Sequence, residues 1–312
     1  MMFTYFELSG CRPADLSQAA ACAKVKRADM VAANLGGRTY WLSKEAYEAA
    51  KNLLGASAYR GRAGAGFGTA RGVWLVEGEP QPAEPPPGAP RGRRYVLVET
   101  RWGKENSLGP FPVEEDFVFR GFLGRDVEVG RVARYRYFLA PYRRDGTPLT
   151  REELMETQLW RSYLSNEEVQ KALKASAKYG KREWWHIERM RPRAVARYKV
   201  AWRDVADRFI PAVEATGAAP AHTAHYAAVE SLEEAYYLLA YLLAPQINAV
   251  VREISPWVGH VEPGFLSYFN IPKYRPHCPA HRRLADIGKE VSKRGTDAEA
   301  EEEIRRLVKE RC

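Results

Sequence analysis

The sequence predicts an α+β fold, a mixed and twisted β-body with helices packed on it and a C-terminal helical segment that closes it. Three observations predict this. Short strand-like runs separated by glycines and prolines fill the first half of the chain, a helical period takes over after Thr150, and the tail from Pro279 alternates charge at helical spacing. With 312 residues, 46% of them hydrophobic and 12% aromatic, the chain can bury one large core or two modest ones.

Residues 1–56 read as a partly helical lead-in. In "SKEAYEAAKNLLG", Ser43 is the N-cap, Ala46, Ala50 and Leu53 or Leu54 share a face, and Gly55 is the stop. A glycine-rich basic loop opens residues 57–278, whose first part, 57–149, is β-rich. There "GVWLVEG" and "RRYVLVET" read as strands joined by the proline-rich surface loop "EPQPAEPPPGAPRG", and "DFVFRGFLG", "DVEVG" and "RYRYFLAPY" follow. The α/β part, 150–278, starts with a long helical pattern in which Thr150 and Glu153 form a capping box. It continues with the strand candidates "AVARYKVAW" and "AHYAAVE" and an apolar helix from Ser231. "AYYLLAYLLAPQINAVV" is too short for a membrane span and is interrupted by Pro245, so it reads as a buried helix pair or a kinked core helix. Residues 279–312 read as one or two amphipathic helices broken near Gly295.

Lys and Arg outnumber Asp and Glu by 48 to 39, a net charge of +9, which favours a polyanionic partner, nucleic acid ahead of an anionic membrane surface. The start, "MMFTYFELSGCRPADL", lacks the basic region and apolar core of a signal peptide, and a cytoplasmic location is expected. Heavy use of Arg, Ala, Glu and Tyr with little Gln suits a thermophile. Cysteines 11, 22, 278 and 312 are too few and too scattered for a disulfide framework. "HCPAH" places His277, Cys278 and His281 together, but no second close pair completes a zinc site; the stretch reads as a turn that starts a helix at about Ala280, with no metal.

The loop "SAYRGRAGAGFGTARGVWLVEG" invites a nucleotide reading that its context refuses. A P-loop needs Gly-Lys-Ser/Thr opening a helix, whereas Gly72 is followed by the β-type run Val73 to Val76; a dinucleotide fingerprint must lie between a strand and a helix. No G-x-S-x-G, H-E-x-x-H or kinase motif set occurs. The loop does carry Arg60, Arg62, Thr69 and Arg71, which can set guanidinium groups and a bare backbone against a sugar-phosphate strand.

The order of the pieces carries a resemblance. "RAGAGFGTARGVWLVE", "VEEDFVFRGFLGRDVEVGRVARYRYFLAPYRRDG", "KREWWHIERMRPRAVARYKVAW", "DRFIPAVEATG", "SLEEAYYLLAYLLAPQINAVV" and "FNIPKYRPHCPAHRRLADIGKEVSK" follow one another between about Arg27 and Val291. This succession resembles the C-terminal target-recognition domain, TaqI-like, of adenine-specific DNA methyltransferases and single-chain restriction-modification enzymes. The resemblance implies a lead-in loop, a strand-rich body displaying loops to duplex DNA, a basic aromatic recognition segment, and an Ile-Pro turn leading to a closing helix. Ala244 and Pro245 replace the Asn-Ser that usually ends the family's apolar helix. The chain also lacks the S-adenosylmethionine loop and the Asn/Asp-Pro-Pro-aromatic motif that grips a flipped adenine. The resemblance therefore implies a reader without catalytic residues or cofactor of its own: either a separate methyltransferase subunit holds S-adenosylmethionine, or the gene is a split or truncated relative.

Between Lys181 and Arg208 nine Lys or Arg stand against four Asp or Glu, interleaved with Trp184, Trp185, Tyr198 and Trp202. Lys181, Arg182, Arg191, Arg193, Arg197, Lys199 and Arg203 are candidates for phosphates or guanine edges, and Trp184 and Trp185 for sugars or exposed bases. Taken singly, the tryptophans read equally as core, and alternation puts Tyr198, Val200 and Trp202 on one side. Arg120, Arg125, Arg134 and Arg136 are further candidates on the strand-rich body. His222, His225 and His260 read as ordinary loop or strand residues without the partners of a general-base constellation. Two competing readings stay open: a nuclease using Glu114, Glu115 and Asp116, whose order does not fit a nuclease motif, and an RNA-binding or structural adaptor.

Overall fold

The computed structural model describes residues 2–7, 24–176, 183–255 and 259–310. It is α+β, with several sheets, two of them mixed, and no barrel among the described residues. A five-stranded sheet holds it together, in the order Gly130–Arg131, Pro211–Glu214, Lys199–Arg203, Ala224–Ala228 and Arg62–Ala63. Gly130–Arg131 runs parallel to its neighbour and the other pairings are antiparallel.

Side-chain alternation along these strands divides the interior in two. Val200, Trp202 and Ala227 face a core built with the helices Leu232–Leu242, Pro245–Ile254, Pro279–Arg294 and Ala298–Leu307. Ala201, Ala212, Ala224 and Tyr226 face a second core shared with two further sheets. One of these has the order Ala219–Pro220, Val118–Phe122, Arg136–Leu139, Leu75–Val76; the other is the meander Gln81–Ala83, Tyr95–Val98, Phe111–Glu114. The apolar stretch after Ser231 is a helix pair: Ser231 Oγ accepts from the Glu234 amide to cap the first helix, and Pro245 occupies the first turn of the second, where no amide donor is needed. Gly295, at φ +82°, separates the two tail helices.

Several elements differ from expectation. The lead-in is mainly a three-stranded antiparallel sheet, Met2–Glu7, Lys24–Leu35 and Arg38–Ser43, followed by the helix Lys44–Ala50. Gly36 and Gly37, at φ +59° and +80°, make the two-residue turn between its last strands. Ser43 caps the helix as expected, but the helix ends at Ala50, before Gly55. "GVWLVEG" begins as one helical turn, Arg71–Trp74, before the strand Leu75–Val76, and the proline loop contributes the edge strand Gln81–Ala83. "DVEVG" follows a 3-10 turn, Gly124–Asp126, and only Gly130 of it is in a strand. The pattern after Thr150 is broken into Arg151–Met155, a π-helical turn Trp160–Leu164, and Glu167–Ser176; the Thr150–Glu153 capping box is present. Cys278 is disulfide-bonded, which its isolation in the sequence did not indicate. No helix among the described residues is long and apolar enough to cross a membrane.

Within the central sheet Lys199 and Glu214 are cross-strand partners, both side chains fully buried. Lys199 Nζ donates to Glu214 at 2.8 Å and to the Ala218 carbonyl at 3.0 Å, while Glu214 accepts from the Thr216 and Gly217 amides. Burial lowers the Lys199 pKa against the opposing pull of Glu214. Removing the ammonium leaves a buried carboxylate uncompensated, so Lys199→Ala should lose about 3–5 kcal/mol of stability in denaturant unfolding. A loss within about 1 kcal/mol would mean that the amide donors alone hold Glu214.

Candidate nucleic-acid interface

The glycine-rich loop is stitched into the fold through its backbone. The Gly64 amide donates to Ala224 O, Ala65 to Pro220 O, and Gly66 and Glu188 exchange a pair of bonds, all between 2.7 and 3.1 Å. A Cβ on Gly61 would stand 2.1 Å from Pro263 O, and one on Gly64 2.3 Å from Ala221 O. These glycines permit close backbone approach within the protein; the expectation that they leave bare backbone for a sugar-phosphate strand is corrected at Gly61, Gly64 and Gly66, since the Gly64 and Gly66 amides and the space beside Gly61 and Gly64 are already used.

This stitching makes Arg62–Ala63 the edge strand of the central sheet, with Arg62 opposite Tyr226. A second segment reaches the same edge through the Gly66–Glu188 bridge, and carries exposed Arg191 and Arg193 around the short turn Pro192–Ala194. Burial first, and then the charges of Arg193, Arg60 and Arg191, hold Arg62 below the usual arginine range, with Tyr226 opposing them. The Tyr226 hydroxyl is pushed up by burial and drawn down by Arg62, Arg191 and Arg193. Arg62, Arg191 and Arg193 therefore act on one ring, and Arg60 on Arg62 beside it. None of the four forms an ion pair among the described residues, whereas Arg93, Arg94, Arg143, Arg144 and Arg283 all do.

The other candidates are dispersed. Arg71, Arg125 and Arg203 border a separate cavity of about 320 Å3. Arg120 lies 4.1 Å over the Tyr135 ring, Arg197 5.3 Å from the centre of the Tyr198 ring, and Thr69 and Arg134 are exposed. Three candidates are corrected. Lys199 is fully buried in its ion pair, Trp185 is 1% exposed in the core, and Arg136 is committed to Asp126 by two 2.9 Å bonds. Trp184 is half-buried against Trp160 and Trp185 with Lys174 near its face. Lys181 and Arg182 lie outside the described residues.

The acidic residues of the nuclease reading are spread among structural roles. Glu114 is fully buried and accepts from the Gln158 and Leu159 amides, Glu115 pairs with Arg94, and Asp116 faces Arg144. The histidines, by contrast, have a partner that their spacing did not reveal. Asp204 Oδ1 accepts from His225 Nε2 at 3.0 Å and His260 Nδ1 at 2.9 Å, assigning the proton to each ring nitrogen. His225 is buried, and its Nδ1 has no hydrogen-bond partner. His222 feels Arg71, Arg189 and Asp204. Comparison with protein-family models finds no match, and comparison with curated proteins likewise finds none.

Burial dominates over Asp204 and holds His225 below its ordinary value of 6.5. As pH falls the unfolded chain therefore takes up the proton first, so stability is intact above about 6.5 and is lost below it. His222 and His281, also lowered chiefly by burial, act in the same direction. The thermal midpoint should drop between pH 7.5 and pH 5, and His225→Gln, which keeps a donor for Asp204, should flatten part of that drop in calorimetric scans. Identical slopes for the two proteins would place the proton uptake elsewhere.

Proposed function

We propose that this chain is a sequence-reading duplex-DNA-binding subunit of an adenine-N6 methyltransferase or restriction-modification system, positioning DNA for a separate catalytic chain that carries S-adenosylmethionine. The grouping at one sheet edge of Arg62, opposite Tyr226, with Arg60 beside it and exposed Arg191 and Arg193 brought there by the Gly66–Glu188 bridge, all without carboxylate partners among the described residues, is the observation that supports it. Mutually repelling cations are retained at a sheet edge when a polyanion neutralises them on binding. Arginine supplies both chemistries that the reading needs, point attraction to phosphates and bidentate bonding to guanine O6 and N7. The ordered succession of segments resembling methyltransferase recognition domains supports this reading of the edge, here called the rim, and the absence of an adenine-gripping motif from these residues fits catalysis carried elsewhere.

Two residues separate positioning from reading. Arg60→Ala should weaken binding to all duplexes alike and reduce the slope of log K against log salt by about 1. Arg193→Ala should cost about 1–3 kcal/mol on a preferred duplex selected from randomised DNA and much less on a random one. Equal affinity for duplex DNA and single-stranded RNA, with no consensus recovered when the catalytic chain is present, would make the protein a nonspecific clamp. Micromolar S-adenosylmethionine binding by this chain alone in a calorimetric titration would overturn the division of labour.

A further inference from the structure

The cavity bordered by Arg71, Arg125 and Arg203 lies on different elements from the rim. Arg71 begins the single helical turn after the glycine-rich loop, Arg125 stands in the 3-10 turn Gly124–Asp126, and Arg203 ends the middle strand of the central sheet. The cavity measures about 320 Å3, and its wall contains three guanidiniums and no carboxylate. None of the three forms an ion pair among the described residues. Asp126, next to Arg125 in the chain, bonds Arg136 through both oxygens and forms no ion pair with Arg125.

Two of the wall groups are held in place before any ligand arrives. Arg203 Nε donates to Val127 O at 2.7 Å, which fixes the plane of the guanidinium and leaves its terminal nitrogens uncommitted. Thr223 Oγ1 accepts from the Gly124 amide at 2.9 Å, so the hydroxyl keeps its own proton to donate. Three cations and a hydroxyl donor around an open cleft form a site whose lining side chains include no acceptor carboxylate, which suits an oxyanion with several acceptor oxygens. The volume lies at the low end for small-molecule sites, enough for a phosphate and the sugar attached to it.

We propose that this cavity is a phosphate seat, separate from the base-reading rim, that takes one phosphate group of a bound nucleic acid strand through Arg71, Arg125, Arg203 and the Thr223 hydroxyl. The strand as the source of the phosphate rests on the DNA-binding reading; the affinity for phosphate itself does not. A free phosphate monoester offers the same chemistry, and the two sources separate experimentally.

The test uses the full chain, Arg125→Ala at an exposed position and Arg203→Lys, which keeps the charge and loses the planar fork. Inorganic phosphate at tens of millimolar, compared with chloride at equal ionic strength, should raise the thermal midpoint of the wild type by a few degrees, and both variants should lose the shift. In a second arm, both variants should weaken duplex binding by about tenfold at low salt, and a duplex series carrying single neutral methylphosphonates should show one position whose substitution costs the wild type affinity but not the variants. An equal phosphate shift in all three proteins, with unchanged duplex affinity in the variants, would overturn the seat and leave the rim reading intact. A phosphate shift lost in the variants, with no duplex binding by the wild type, would keep the seat, assign it to a free monoester, and overturn the DNA reading instead.

Discussion

A strand covered on both faces can offer a ligand side chains only at its ends, and Lys199–Arg203 is such a strand. Its neighbours on either side are paired, one of its faces packs against helices, and the other packs against the β-rich core. Whatever the protein binds must be met where the sheet stops, along the edge strand Arg62–Ala63 or at the strand ends. The arginines follow this constraint. Arg62 is on the edge, Arg203 is at a strand terminus, and the lysine between Tyr198 and Val200 is neutralised in the interior by Glu214.

The same constraint explains why arginine density was an imperfect guide to the interface. The run from Lys181 to Lys199 looks uniform in sequence, yet it leaves Trp185 in the core, exposes Arg191 and Arg193 on a turn, and buries Lys199 as it enters the sheet. Periodicity showed which side Val200 and Trp202 share, because a two-residue period is visible locally. It could not show that the opposite face was buried as well, since this depends on sheets formed by residues 75–139.

Caps and breaks were legible wherever the deciding chemistry is local: the Ser43 cap, the Thr150–Glu153 box, the helix start at Ser231, and the breaks at Pro245 and Gly295 all act as read. The N-terminal sheet was missed because Ala32, Ala33 and Asn34 are poor strand formers, although Gly36-Gly37 is a strong hairpin signal. The site was least legible. Arg60 and Arg62 were singled out, but nothing in the chain announces that Tyr226 lies beside them, or that Asp204 would serve both His225 and His260 from 21 and 56 positions away.

The pairing of Arg62 with Tyr226 closes a loop of more than one hundred and sixty residues. Contacts of such long range form late and slowly, because the chain entropy between them must be given up before the strand pair repays it. The helical core, in contrast, draws largely on residues after 200, whose contacts are closer in sequence. A chain emerging from synthesis can therefore bury much of its apolar surface before its cationic edge exists. The scattered positive charges meet only when the first quarter of the polypeptide is joined to the segment around residue 190 and to the strand that carries Tyr226. Under the proposed reading, polyanion affinity would then serve as a reporter of complete folding, absent from any compact intermediate that has yet to seat its edge strand.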